Sequence, residues 1–373
     1  LPILEKFQVR DAPERFVSDE CRGGLSRLRT SGSTGQPLVF YGNSRSAAAG
    51  LTAMIRARAW WGADFWQRSA VFIEHGHKFE KNWKQKISMA MRPLRERILN
   101  RLFFSAYRMS DADLERYYRK LITFRPAYLC GYATSLFLLA HYLDRKGLDG
   151  RSIGVRHVFY TSEMLYPWQK DLMEKTFGAR VAGEYGMVEA GVVAHQCPAG
   201  RYHTMDDMVY VELLPLKENP MLAEILITTL YNFDAPLIRY RTGDVVHVDT
   251  ASKSQCPCGL GLHSIGALEG RSHDILVSPS GQIVHGQACT HILINAGHVK
   301  KFQVMQETPH FLVVKVVQDT GYTPKHETEI RNNLQRLLGG GVEIVFEYVD
   351  EIPAEASGKF RWIRSKVGTL KRA

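Results

Sequence analysis

The run Ser31-Gly32-Ser33-Thr34-Gly35-Gln36-Pro37 joins three hydroxyls to two glycines. Glycine lets the backbone turn tightly enough for successive N–H groups to face one anion, and neighbouring hydroxyls add donors. Arg22, Arg27 and Arg29 precede the run, and apolar Leu38-Val39-Phe40-Tyr41 follows it as a strand pattern. No Lys-Ser or Lys-Thr comes after the second glycine, so this is not a Walker A loop. By itself it fits an anion cradle and an ordinary polar turn equally well.

Three more groups of chemically capable residues follow in order. They are Tyr185-Gly186-Met187-Val188-Glu189, then Arg239-Tyr240-Arg241-Thr242-Gly243-Asp244 with Gly270-Arg271 beyond it, and finally Ser357-Gly358-Lys359-Phe360-Arg361. Each has a plain structural alternative. Lys359 suits a solvated charge, Asp244 a turn after Gly243, Tyr185 a core position, and Glu189 a cap or ion pair. Only the joint, ordered occurrence favours chemistry over those alternatives.

A separate group carries sulfur. Cys256 and Cys258 form a close pair on a tight turn, and Cys197 with His203 forms a second pair upstream. Four nitrogen and sulfur ligands suit tetrahedral structural zinc, which would pin a β-rich region to the end of a sheet. His195 or His263 could take the place of His203, and four reduced side chains without metal is the simple alternative. Cys21, Cys130 and Cys289 read as ordinary buried or half-buried thiols.

The elements that must position these residues alternate. Helical composition covers 46–60, Val71-Phe72-Ile73 is a short strand leading to His75, and 81–103 is basic with a helical pattern. Asp111 to Phe124 forms a helix capped by Ser110. Ala127 to Cys130 is a strand, Gly131 to Ser135 its turn, and Leu136 to Asp144 the next helix. The order repeats with strand His157 to Tyr160, turn Thr161 to Met164, helix Pro167 to Phe177 and strand Arg180 to Ala182. Such alternation predicts an α/β domain with parallel strands, whose ligands sit at the strands' carboxyl ends. Strand-like runs then dominate (209–212, 224–228 and 237–240), marking a β-subdomain. From Gly270 onward a last segment of about a hundred residues has the size of a small domain, with a helix over 326–338 and a strand over 342–349.

At 373 residues the chain exceeds one small core, so two domains are expected. An apolar share of 45% with 23% charged residues excludes a disordered or fibrous chain. No apolar stretch reaches membrane-spanning length, and the opening Leu-Pro-Ile-Leu reads as the interior of a longer protein. The net charge of +10 suits an anionic ligand such as a nucleotide. Its basic residues are scattered without a recognition motif, which argues against nucleic acid. Six cysteines in this length point to a reduced cytoplasm rather than a secreted disulfide scaffold.

Taken in order, the four motif groups resemble the superfamily of adenylate-forming enzymes, and within it most closely the phenylacetate–CoA ligase and CapK-like branch. The opening segment from Pro2 to Phe16 is similar to one that in this branch follows an N-terminal stretch absent here. The resemblance implies a large α/β domain over 1–269, with mixed parallel sheets and a β-subdomain, and a small mobile α+β domain over 270–373. It implies ATP, Mg²⁺ and CoA as partners in activating a carboxylic acid as its acyl-adenylate. An amine, sugar or carrier protein is the alternative acceptor, and a homodimer is compatible.

On the family pattern Ser31, Gly32, Ser33, Thr34 and Gly35 would cradle phosphates. Tyr185 and Gly186 would meet adenine beside Ser162 and Glu163. Glu189 would hold Mg²⁺, Asp244 the ribose, and Arg271 the ribose or a phosphate. Lys359 would reach the reacting carboxylate and α-phosphate, while Tyr132, Ala133 and His75 would border the acyl pocket. The branch is also similar in a Cys–His pair and a Cys-x-Cys at the zinc positions. One departure stands out: Gly270-Arg271-Ser272-His273-Asp274 places histidine where the family hinge is usually acidic.

Overall fold

The computed structural model describes residues 1–21, 24–29, 38–73, 94–106, 108–217, 219–248, 256–271, 275–280, 283–285, 289, 292–293, 296–353 and 360–367. Two compact units divide the chain. The first comprises Leu1–Thr242 with Val246–Glu269, and the second Gly270–Glu355 with Gly243–Val245 and Phe360–Ala373.

In the first unit, β1 (Ser26–Arg29) and β2 (Val39–Gly42) form an antiparallel pair. The central sheet then takes β3 (Ser69–Phe72), β4 (Arg101–Phe104), β5 (Tyr128–Tyr132), β6 (His157–Thr161), β7 (Arg180–Met187), β8 (Gly191–Gln196) and β9 (Tyr202–Thr204). Next come β10 (Val209–Pro215), β11 (Leu222–Thr229) and β12 (Tyr240–His247), then β13 (Ser264–Ile265) and β14 (Leu268–Arg271). Eight strands lie in the order β13-β9-β8-β7-β6-β5-β3-β4, and four in the order β10-β11-β12-β14. From β4 to β7 the pairings are parallel, and β7 to β8 turns antiparallel. The expected mixed α/β architecture is met.

Helix boundaries follow local chemistry. Ser110 accepts from the Asp113 backbone N–H, Asp111 and Asp113 acidify the first turn, and Arg125 closes the Asp111–Phe124 helix in the left-handed region at φ 50°. The Pro167–Phe177 helix starts on proline and ends at left-handed Gly178. Crossovers between parallel strands need a covering helix, and Ala133–Arg145 and Pro167–Phe177 supply it. Leu136, Leu139 and Leu143 of the former are fully buried.

Three sequence expectations shift. The helical pattern over 81–103 gives way at its end to β4, because Leu102 and Phe103 pair with Ala70 and Val71; residues 74–93 lie outside the described ones. The strand expected over 237–240 begins only at Tyr240, since Arg239 is left-handed at φ 51°. The strand opening at Arg180 runs on through Tyr185 and Gly186 to Met187 instead of ending at Ala182.

The second unit contains the antiparallel pair β15 (Ile275–Val277) and β16 (Ile283–His285). Its main sheet is β19-β18-β17-β20, from β17 (Val299–Thr308), β18 (Phe311–Gln318), β19 (Glu343–Tyr348) and β20 (Ile363–Ser365). The helix Pro324–Leu338 buries Ile330, Leu334 and Leu338. That three- and four-residue spacing is one helical face. Among the described residues no helix is long and apolar enough to cross a membrane.

Candidate active site and metal centre

Register places the predicted turns along one edge of the central sheet. Tyr132 pairs with Thr161, and Thr161 with Glu184. Ala133 onward and Ser162-Glu163 therefore leave the sheet side by side at the carboxyl ends of β5 and β6, while β7 runs on beside them through Tyr185 to Met187, just before Glu189. Two glycines make this packing possible. A Cβ on Gly131 would sit 2.3 Å from the Phe72 carbonyl oxygen, and one on Gly186 would sit 2.6 Å from that of Gly191. Gly186 coincides with the register shift between β7 and β8, where the strand bends toward Glu189.

Ser162 follows β6 at φ 71°. A non-glycine residue there carries strain of about 1–3 kcal/mol, a feature that clusters at functional turns. Its consequence is visible next door: Glu163 Oε2 accepts from the Thr134 backbone N–H at 2.8 Å. The carboxylate thus caps the Ala133–Arg145 helix, whose N-cap residue Tyr132 makes no side-chain cap bond. Ala133 is 1% exposed, so it backs the turn from within, while Tyr132 is half-buried.

Tyr185 is 8% exposed and belongs to the core cluster with Ala57, Val193 and Tyr240. Glu189 is buried too, and the Tyr240 hydroxyl donates to its Oε1 at 3.3 Å. That contact joins two motif groups lying 51 residues apart. The opening segment joins them as well: the Leu4 N–H donates to Arg239 O and the Arg241 N–H to Leu4 O, both at 3.0 Å. Asp244 lies within β12, half-buried, and Arg271 ends β14. Ser31, Gly32, Ser33, Thr34, Gly35, His75, His273 and Lys359 lie outside the described residues.

Sequence reasoning missed two supports. Tyr240 was readable only as one member of the Arg-Tyr-Arg-Thr-Gly-Asp run. Arg58, from the Ser44–Ala59 helix, pairs with Glu184 at 3.2 Å, with side chains only 12% and 10% exposed. A buried ion pair fixes position more than it adds stability; here it anchors the residue just before Tyr185. Nothing in the local sequence signals a partner 126 residues away.

At the far side of the same sheet, Cys197, His203, Cys256 and Cys258 offer ligand atoms that all lie within 4.8 Å of one another. Cys197 Sγ is 3.8 Å from Cys256 Sγ, and His203 Nε2 is 3.2 Å from Cys258 Sγ. Ligands about 2.0–2.3 Å from a tetrahedral zinc lie roughly 3.3–3.8 Å apart, so the donor set and its size fit the ion. His203 Nδ1 faces Leu262 O at 3.1 Å. A proton there leaves Nε2 free as the ligand atom, the usual outer support of a metal histidine. Burial alone would push the Cys256 thiol up. Hydrogen bonds from the Cys258 backbone and the neighbouring side chains instead bring it to about 7. Neither open histidine alternative joins the group: His195 Nδ1 meets Gln196 O, and His263 pairs with Asp206.

The fold is that of the adenylate-forming enzymes. Structures similar to this chain include 2-hydroxyisobutyryl-CoA ligase in a postadenylation state, with a TM-score of 0.72 and 18% identity over 98% of this chain and 80% of that one. The anthranilate CoA ligase AuaEII bound to anthranoyl-AMP gives 0.62 and 15% identity, over 92% and 67%. The amide bond synthetase McbA from Marinactinospora thermotolerans gives 0.57 and 20%, over 90% and 68%. In sequence the particular likeness is to CapK. Residues 276–366 match the CapK C-terminal domain, and Protein CapK of Staphylococcus aureus is 24% identical over 97% of this chain and 79% of its own length. Phenylacetate-coenzyme A ligase of Pseudomonas putida is 25% identical over 45% of this chain and 39% of its own. The expected superfamily and branch are borne out.

Proposed function

We propose that this chain is an AMP-forming ligase that activates a carboxylic acid with ATP and then transfers the acyl group, with CoA as the first acceptor to test. The observation that carries this reading is the alignment of Tyr132, Glu163, Tyr185 and Glu189 at the carboxyl edge of one parallel sheet. In the first step a carboxylate oxygen bonds to the α-phosphorus of ATP, and pyrophosphate leaves with the electrons of the broken P–O bond. In the second step a thiol sulfur bonds to the carbonyl carbon of the adenylate and AMP leaves. Every reactant is anionic, so catalysis rests on positioning and preorganised positive charge.

In this reading Ser31, Gly32, Ser33, Thr34 and Gly35 hold the departing phosphates, and Asp244 and Arg271 hold the ribose. Lys359 steadies the charge that builds at the reacting carboxylate. Tyr185 and Gly186 border adenine together with the Ser162-Glu163 turn, and Tyr132, Ala133 and His75 border the acid. Glu189, held by the Tyr240 hydroxyl, would hold Mg²⁺, which when bound would neutralise phosphate charge. Cys197, His203, Cys256 and Cys258 would hold a structural zinc, which would tie β8 and β9 to the 256–258 turn.

Exchange of [³²P]pyrophosphate into ATP, across a panel of aryl and aliphatic acids, tests the first step. Acid-dependent exchange is the expected result, and silence across the panel overturns the reading. A second acceptor class is favoured by one observation, the likeness to an amide bond synthetase. Product mass spectrometry with CoA, amines or neither separates a thioester from an amide.

A further inference from the structure

The edge of the central sheet opposite the candidate active site has its own chemistry. Strands β3, β5, β6 and β7 start level with one another, Ser69 pairing with Tyr128, Tyr128 with His157 and His157 with Arg180. The residues just before them continue the ladder: the Ala127 N–H donates to Arg68 O at 2.7 Å, and the Arg156 N–H to Ala127 O at 2.9 Å. Arg68 and Arg156 therefore flank Ala127, about 10 Å apart across two strand spacings.

Two more arginines join from the crossovers. Arg125 comes from the left-handed C-cap of Asp111–Phe124, and Arg151 from the 3-10 turn Gly150–Ile153. With Gln67 and Ser152, these four arginines line one hollow of about 600 Å³. None of its lining residues is acidic. None of the four arginines forms an ion pair with a described carboxylate, although Arg56, Arg58, Arg145, Arg239 and Arg241 all do. Arginines without a described carboxylate partner also occur singly elsewhere; here four of them share a cavity.

Placement makes the cluster more telling. A left-handed C-cap favours glycine or asparagine, yet Arg125 occupies it and carries its side chain to the hollow. The nearby His157 ring is held below its ordinary pKa, first by burial and then by the charges of Arg156 and Arg180. All four arginines are exposed, so water and salt screen their mutual repulsion, and an anion joining them gains several charge-assisted hydrogen bonds at once.

We propose that this hollow is a binding site for a small molecule carrying two or three phosphate groups, separate from the adenylation site. Its volume lies in the range of small-molecule sites, roughly 300–1,000 Å³. Guanidinium forks match phosphate oxygens bidentately. Strands of four to five residues set it about 15 Å from the carboxyl-edge turns, so one nucleotide triphosphate does not serve both. The site stands whether or not the chain adenylates an acid.

Inorganic tripolyphosphate is the probe. Phenylglyoxal labelling of the wild-type chain, mapped by peptide mass spectrometry, should show Arg68, Arg125, Arg151 and Arg156 protected when it is present. Calorimetric titration of Arg125→Ala/Arg151→Ala should lose one class of sites, or weaken it at least about tenfold, the step of one decade in Kd. Far-UV circular dichroism confirms that the variant folds. Unprotected arginines, or superimposable isotherms from folded protein, overturn the proposal. So does arginine-dependent binding of a polyglutamate peptide without any of tripolyphosphate, which would assign the hollow to an acidic protein partner.

Discussion

The two edges of the central sheet are built from the same strands and differ in how charge is handled. At the carboxyl edge three described carboxylates are already held: Glu163 by a helix N-terminus, Glu189 by Tyr240, Glu184 by Arg58. At the amino edge four exposed arginines have no carboxylate partner among the described residues. A site that must orient reacting atoms needs preorganised side chains. A site that only collects anions can leave its cations waiting for the ligand.

Experiments that break the carboxyl edge should have the largest effects. Glu189→Ala should lower acid-dependent pyrophosphate exchange by on the order of 10²-fold or more, while leaving tripolyphosphate protection at the amino edge intact. Loss of both readouts together would erase the distinction between the edges. Gly131→Ala comes next: its new methyl meets the Phe72 carbonyl oxygen at 2.3 Å, so strand β5 has to shift. A lower melting temperature and reduced exchange are expected; unchanged melting would mean that β5 adapts freely.

The candidate metal centre gives a third measure, at the far side of the sheet from β3 and β4. Purified chain should carry about one zinc by elemental analysis, and Cys256→Ser/Cys258→Ser should lose it with several kcal/mol of stability in urea. Full zinc content in that variant would remove these two ligands. Glu163→Gln should be milder. It keeps an acceptor for Thr134 but removes the charge at the helix terminus, costing about 0.3–1 kcal/mol.

The smallest effect concerns His157. Its folded pKa is depressed, so its contribution is fully present above the unfolded value of about 6.5 and fades as pH falls toward the folded one. His157→Gln should flatten that acid limb in a thermal melt. Tripolyphosphate at the arginines should lessen the depression and flatten it too.

Much of the first unit could be read from residue patterns. The strand–turn–helix rhythm from Asp111 to Phe177 was legible because Ser110, Pro126, Pro167 and Gly178 punctuate it. The four metal-suited side chains were legible because few residue types ligate zinc. What escaped depended on distant partners. Arg101–Phe104 carries a basic, helix-compatible pattern locally, and only pairing with β3 makes it a strand. Tyr240 gains its meaning from Glu189, and Arg58 from Glu184. The arginine hollow was hidden by dispersion, since its members lie at 68, 125, 151 and 156 and meet only when parallel strands are aligned.

The Glu163–Thr134 contact has one further consequence for any acid that enters beside Tyr132. The partial positive end of the Ala133–Arg145 helix is already spent on a resident carboxylate. An incoming substrate anion would meet repulsion there, not welcome, and must find its counter-charge on another side of the pocket. On the proposed function, selectivity for the acid's tail and neutralisation of its head would then fall to different walls.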